Sequence, residues 1–168
     1  KRAVLMEPHR HRAEIFGARS RCYRRQRDYE AAREDLERAL ELAEALDDPR
    51  SVARVYFHAS LVAERQGQWV LARRYAEQAK AQFEEIADRN AVGKLLNNLG
   101  GLSFLLGKPE EAIRVLEQNQ VPASMQATAR ILRLRALVLA GDAAKAQAQV
   151  PALLAADLSA ETRAKLAR

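Results

Sequence analysis

Apolar and small residues return along the chain at steps of three and four. Phe16, Ser20 and Tyr23 fall on one stripe, and Ala32, Leu36 and Ala39 on the next. Tyr56, Ser60 and Ala63, followed by Ala72, Ala76 and Ala79, repeat the arrangement. Such spacing lines up side chains on one face of an α-helix. The pattern predicts helices in pairs: 9–27 with 29–46, 50–66 with 69–87, 91–106 with 109–118, and 123–140 with 143–155. Each pair is joined by a short turn, so each is expected to be an antiparallel hairpin.

The pairs share a period. A glycine, four residues and an alanine recur as Gly67…Ala72, Gly107…Ala112 and Gly141…Ala146, with Arg27…Ala32 as the earlier equivalent. The four alanines lie 40, 40 and 34 residues apart. The glycines stand where a left-handed residue closes a helix. Pro109 stands where a helix can begin without its N–H. Pro49 and Pro122 are read as parts of longer links between hairpins, with Asp47-Asp48-Pro49 and Asp88-Arg89-Asn90 as matched links. The resulting units are 9–48, 49–88, 89–120 and 121–156, within one domain over 1–168. Ala3 and Pro8 are spaced like the end of a second helix, so 1–8 reads as a partial earlier repeat. Ser159 would cap a last short helix in a closing segment, 157–168. After Gln118 the texture changes, and Pro151 should kink or break the helix that contains it.

The repeat resembles the tetratricopeptide signature, a bulky residue, then Leu-Gly, then Tyr, then Ala and Phe at fixed offsets. The third unit reads Leu96, Leu99-Gly100, Ser103, Ala112 and Leu116. The first reads Phe16, Arg19-Ser20, Tyr23, Ala32, Leu36 and Ala39. The second reads Tyr56, Ala59-Ser60, Ala63, Ala72, Ala76 and Ala79, and the fourth Arg130, Arg133-Leu134, Leu137, Ala146 and Val150. The resemblance implies an all-α fold, an α-solenoid of about four hairpins with a C-terminal capping helix. HEAT or armadillo repeats, with periods of roughly 40–47 residues, are the runner-up. Small residues such as Ser20, Ser60 and Gly100 would let paired helices approach, while Tyr29, Trp69, Phe83 and Leu116 fill the space between hairpins.

Composition fits this picture. The chain has 168 residues, 48% hydrophobic and 30% charged, with only 5% aromatic. Helix formers dominate, which disfavours a β-rich fold. The formal net charge is +6, yet the signs alternate along the helices, as on solvated faces. Direct nucleic-acid binding is therefore not expected. Cys22 is the single cysteine, so no disulfide forms within the chain and a cytoplasmic setting fits. No apolar run is long enough for a bilayer, and no membrane partner is expected. The chain begins at Lys1 rather than Met and reads as a piece of something longer.

No constellation suggests catalysis, so the chain reads as a non-enzyme without cofactor. His9 and His11 are two apart and point away from each other on a helix. No cysteine or acid gives them metal-ligand spacing. Cys22 lies among arginines, and its ordinary reading is a small helix residue.

What the resemblance implies instead is a concave face, lined by the first helix of each hairpin, that binds a protein or peptide. Helical spacing nominates for it Arg21, Arg24 and Arg25; Arg54, Phe57, His58 and Leu61; Lys94, Asn97, Asn98 and Phe104; and Ile131 and Arg135. The face starts basic and ends apolar. Three arginines on one stripe suit an acidic peptide; their alternative is pairing with acids of a neighbouring helix. Two other readings stand beside this one. The units are similar to tetratricopeptide regions of bacterial regulators that carry a helix-turn-helix domain, which implies ligand or peptide sensing. The chain also reads as an engineered or self-associating scaffold, with homo-oligomers formed through apolar surface near Phe104 and Val138.

Overall fold

The computed structural model describes residues 2–117 and 125–157, with side chains from 11–117 and 125–152. The elements are α1 (Arg2–Gln26), α2 (Tyr29–Ala45), α3 (Pro49–Arg65), α4 (Trp69–Glu85), α5 (Arg89–Leu105), α6 (Pro109–Glu117), α7 (Gln126–Leu139) and α8 (Ala143–Asp157). The fold is all-α, a tandem of helical hairpins of the α-solenoid class. It divides into two compact units, Lys1–Leu95 and Leu96–Arg168. In the first, α1 packs on α2 and α3 on α4, while α3 also meets both α2 and α1. In the second, α7 packs on both α6 and α8.

One kind of turn closes α1, α2, α3, α4, α5 and α7. At each, one residue takes a left-handed conformation: Gly67, Gly107 and Gly141, but also Arg27 (φ 66°), Asp47 (φ 51°) and Ala87 (φ 55°). The following N–H returns to the carbonyl five residues back, as in Asp28 to Tyr23, Asp48 to Ala43, Gln68 to Ala63 and Asp88 to Phe83. This arrangement satisfies carbonyls that a helix end leaves open. The links from α2 to α3 and from α4 to α5 thus have the same geometry as turns within hairpins. Pro49 is a correction: it is the first residue of α3 rather than part of a link. The aspartates that end these turns then open the next helix. The Asp28 carboxylate accepts from the Ala31 N–H (3.1 Å), Asp48 from Ser51 (3.2 Å), Asp88 from Ala91 (3.0 Å) and Asp142 from Lys145 (3.3 Å). Each such cap is worth about 1 kcal/mol.

Two further expectations are corrected, a repeat end over 1–8 and a break at Pro151. Helix α1 starts at Arg2 and passes Pro8, so 2–8 continue into the first hairpin and form no separate repeat end. Helix α8 likewise runs through Pro151 to Asp157. One proline removes one N–H from the ladder, and the helix-forming residues on either side, alanine-rich in α8, sustain it. The proposed closing segment after Asp157 lies outside the described residues.

Small residues set the spacing of the hairpins. Ala32, Ala39, Ala43, Ala53, Ala72, Ala76 and Ala79 are fully buried. Ser20 and Ser60 are buried too, and their hydroxyls donate to the carbonyls of Gly17 (2.9 Å) and Phe57 (2.7 Å). A hydroxyl satisfied within its own helix can face a tight interface at little cost. Around them Leu36, Val55 and Val62 form a core with half-buried Phe16, Tyr23 and Tyr29. Removing each large aliphatic from water contributes about 1.5–3 kcal/mol. Phe83 and Leu116 are buried as expected, but Trp69, at the first position of α4, is 39% exposed. In the second unit Gly100 faces the Leu116 side chain so closely that a Cβ would lie 2.6 Å from it.

Candidate partner-binding faces

In the first unit, the contact between α1 and α3 places two first helices side by side. That juxtaposition brings Arg21 and Arg24 of α1 together with Arg54 and His58 of α3. All three arginines lie close enough to His58 to act on its charge. A recess of about 20 Å³ opens between the helices, lined by Glu14, Gly17, Arg21, Ser51, Arg54 and His58 among others. Gly17 contributes no side chain, and a Cβ there would meet nothing within 4 Å.

The electrostatics of this face are unusual for the molecule. His58 is largely buried, and desolvation pushes its pKa down to about 4; Arg21, Arg54 and Arg24 push in the same direction. Its Nδ1 is buried and has no hydrogen-bond partner among the described residues, and the same holds for Arg24 Nε. Burial also lowers the Arg24 pKa, helped by Arg65 and Arg25 and opposed by Glu64. The His58 ring stacks on its neighbour Phe57, centroids 5.7 Å apart. Arg25 and Arg54 are exposed, and Leu61 is half-buried.

The second helices behave differently. On α2, Arg33 pairs with Glu30 and Glu37 (both 2.8 Å), and Arg38 with Glu34 (3.6 Å). On α4, Arg73 pairs with Glu77 (2.9 Å) and Lys80 with Glu84 (2.6 Å). On these two helices Arg33, Arg38, Arg73 and Lys80 meet acids of their own helix at steps of three and four. Among the described residues, Arg21, Arg24, Arg25, Arg54 and Arg65 form no such bridge. The alternative of pairing with a neighbouring acid applies instead to Arg19. It holds the buried Asp35 with two contacts of 2.6 Å.

Of the residues nominated further along, Lys94 is half-buried on α5. Asn97 is only 6% exposed, which removes it from any open face. Its neighbour Asn98 is half-buried. The second unit presents an apolar cleft of about 590 Å³ between the end of α5, α7 and α8. Phe104, Leu134, Val138, Leu139 and Val150 line it, with Arg135 at its edge. The Arg135 guanidinium lies over the Phe104 ring, 4.7 Å from its centroid, a cation–π contact that holds the side chain in place. Ile131 is exposed on the same helix but does not line the cleft. Leu139, Val150 and Gln147 were not foreseen, because their juxtaposition depends on how α8 folds back on α7.

Among the described residues no cluster of histidine, cysteine or acid could hold a metal. No helix there is long and apolar enough to cross a membrane.

Paired helices, small-residue interfaces and recurring turns define a helical-repeat scaffold. The tetratricopeptide repeat family profile matches residues 11–85 and 51–118, and the chain belongs to that family. No curated protein matches significantly. Among solved structures, a crystal structure of BtubC (BKLC) from P. vanneervenii is similar, with a TM-score of 0.76 at 20% identity. The match covers 86% of this chain and 62% of that one, so the chain spans less than two thirds of its neighbour's length. At that identity the likeness concerns the fold. Repeats of this family generally mediate protein–protein interaction and are typically non-enzymatic.

Proposed function

We propose that this chain is a peptide-binding scaffold whose first-unit face, formed by α1 and α3, takes an acidic segment of a partner protein. The observation that carries this reading is the contrast in charge pairing. Arg33 and Arg38 of α2 and Arg73 and Lys80 of α4 are paired with acids of their own helix, whereas among the described residues Arg21, Arg24, Arg25 and Arg54 of the first helices form no salt bridge. Guanidinium groups held in this way are matched to carboxylates, which they bind through paired hydrogen bonds. Glu14 lines the same recess but is exposed, so it can turn away from an entering carboxylate. In the second unit, Phe104, Val138 and Arg135 offer apolar contact to a partner segment in that unit's own cleft.

The test is a titration with a glutamate-rich peptide, followed by fluorescence anisotropy. Reversing Arg21, Arg24 and Arg25 to glutamate should weaken binding by at least about tenfold, or roughly 1.4 kcal/mol. Unchanged affinity in the folded variant would overturn the reading.

A further inference from the structure

The recess between α1 and α3 differs from a plain basic patch in one respect. At its inner end is an imidazole that is largely buried, faced by cations and without a hydrogen-bond partner at Nδ1 among the described residues. Buried polar atoms are nearly always satisfied, so an unsatisfied one calls for a specific explanation. A water would relieve one atom, and about 20 Å³ suffices for one. It would leave the crowding of Arg21, Arg24 and Arg54 around the ring uncompensated. An oxyanion seated at the mouth of the recess, with one oxygen in the space a water would fill, answers both features at once. It accepts from the guanidinium groups, and it accepts from Nδ1 when that nitrogen carries a proton.

We infer that the recess is a proton-coupled oxyanion site: a partner carboxylate that enters between Arg21, Arg54 and His58 draws a proton onto the His58 ring. The inference rests on the acidic-partner reading and adds the chemistry of recognition. Without the anion, burial and the three arginines keep the ring neutral near pH 7. With an anion in contact, the imidazolium gains an opposite charge and a charge-assisted hydrogen bond. The balance is simple. One proton is taken from solvent for each anion bound in acid, and no covalent bond changes. The charged groups facing the ring are Arg54 from its own helix and Arg21 and Arg24 from α1, and Glu14 lines the same recess. Glu14 is exposed and can turn to solvent when the anion enters.

The linkage gives a sign and a size. If the bound anion raises the midpoint of His58 from about 4 by about two units, affinity should strengthen roughly ninefold between pH 7 and pH 5. Sulfate is the suitable probe, because it keeps its full charge over this range and any pH dependence then belongs to the protein. The experiment follows the His58 ring by NMR across pH in the full chain, with and without saturating sulfate, and uses exposed His11 as the internal control. Sulfate should raise the His58 midpoint by more than one unit, leave His11 within a few tenths, and bind several-fold more tightly at pH 5. In His58→Gln the pH dependence of sulfate binding should disappear while weak binding to the arginines persists. A His58 midpoint that does not move with sulfate, equal movement of both histidines, or no sulfate binding would each overturn the inference. The glutamate-rich peptide is measured in parallel, its binding at pH 7 and the His58 midpoint by titration across the same pH range. Peptide binding with an unmoved His58 removes the proton coupling alone, whereas absent peptide binding removes the acidic-partner reading itself.

Discussion

Arg19 grips Asp35 through two parallel contacts of 2.6 Å, one from Nε and one from the guanidinium terminus, across the α1–α2 interface. The carboxylate is buried, while the arginine remains half in water and lies over Phe16 (5.3 Å) and Tyr23 (5.9 Å). Hydrogen bonding to Asp35 holds the Arg19 pKa above its ordinary value. The pair fixes the register of the first hairpin, because a two-pronged contact tolerates little sliding.

The two partners should therefore respond unequally to substitution. Arg19→Met leaves a buried carboxylate with only Arg38 at 3.6 Å, whereas Asp35→Leu leaves an arginine that can turn to solvent. Urea unfolding should show the larger loss for Arg19→Met, and the Arg19→Met/Asp35→Leu double variant should recover most of it. Equal single losses that add in the double variant would show that the pair is not coupled.

Gly100 and Gly101 are adjacent in sequence and opposite in tolerance. A Cβ on Gly100 would collide with Leu116, while one on Gly101 would lie 3.7 Å from Leu132, an ordinary contact. Gly100→Ala should cost about 1–2 kcal/mol through overpacking. Gly101→Ala should be neutral or stabilise by up to about 1 kcal/mol through helix propensity. Thermal melts of the two variants distinguish these outcomes, and the opposite ranking would place the close approach wrongly.

The left-handed turn residues give a third comparison. Gly67→Ala forces an alanine to φ 73° and should cost about 1 kcal/mol. Asp88→Ala removes both a helix cap and a 3.0 Å bridge from Arg50, and should cost about 1 kcal/mol, mostly through the cap. Chemical denaturation measures both.

His58 makes the fold acid-sensitive. Its folded-state pKa is pushed to about 4, below the ordinary value of 6.5, so in acid the unfolded chain takes up the proton first. Its stabilising effect is complete above about pH 6.5 and is lost as pH falls from there toward 4, a change on the order of 3 kcal/mol. His58→Gln should flatten that part of the stability–pH curve. A curve of unchanged slope would contradict the burial.

The sequence made the hairpins legible because Gly67, Gly107 and Gly141 mark the turns within them. The turns between hairpins were harder to read. Asp47 and Ala87 adopt the same left-handed conformation without being glycine, so Asp47-Asp48-Pro49 looked like a longer link. Asp35 stands among Glu30, Glu34 and Glu37, and only the packing of α2 on α1 buries it. The basic stripe was visible from helical spacing, but its convergence on His58 depends on α1 lying against α3. Spacing alone also misplaced Asn97, which the packing buries.

The central claim is that binding depends on the α1–α3 face and not on overall charge. The most direct measurement compares two double reversals with the same change in net charge, Arg21→Glu/Arg54→Glu on that face and Arg33→Glu/Arg74→Glu on the second helices, in titrations with the glutamate-rich peptide. The first pair should lose at least about tenfold in affinity, while the second stays within about threefold of the parent. Equal losses in both, or none in the first, would contradict the account.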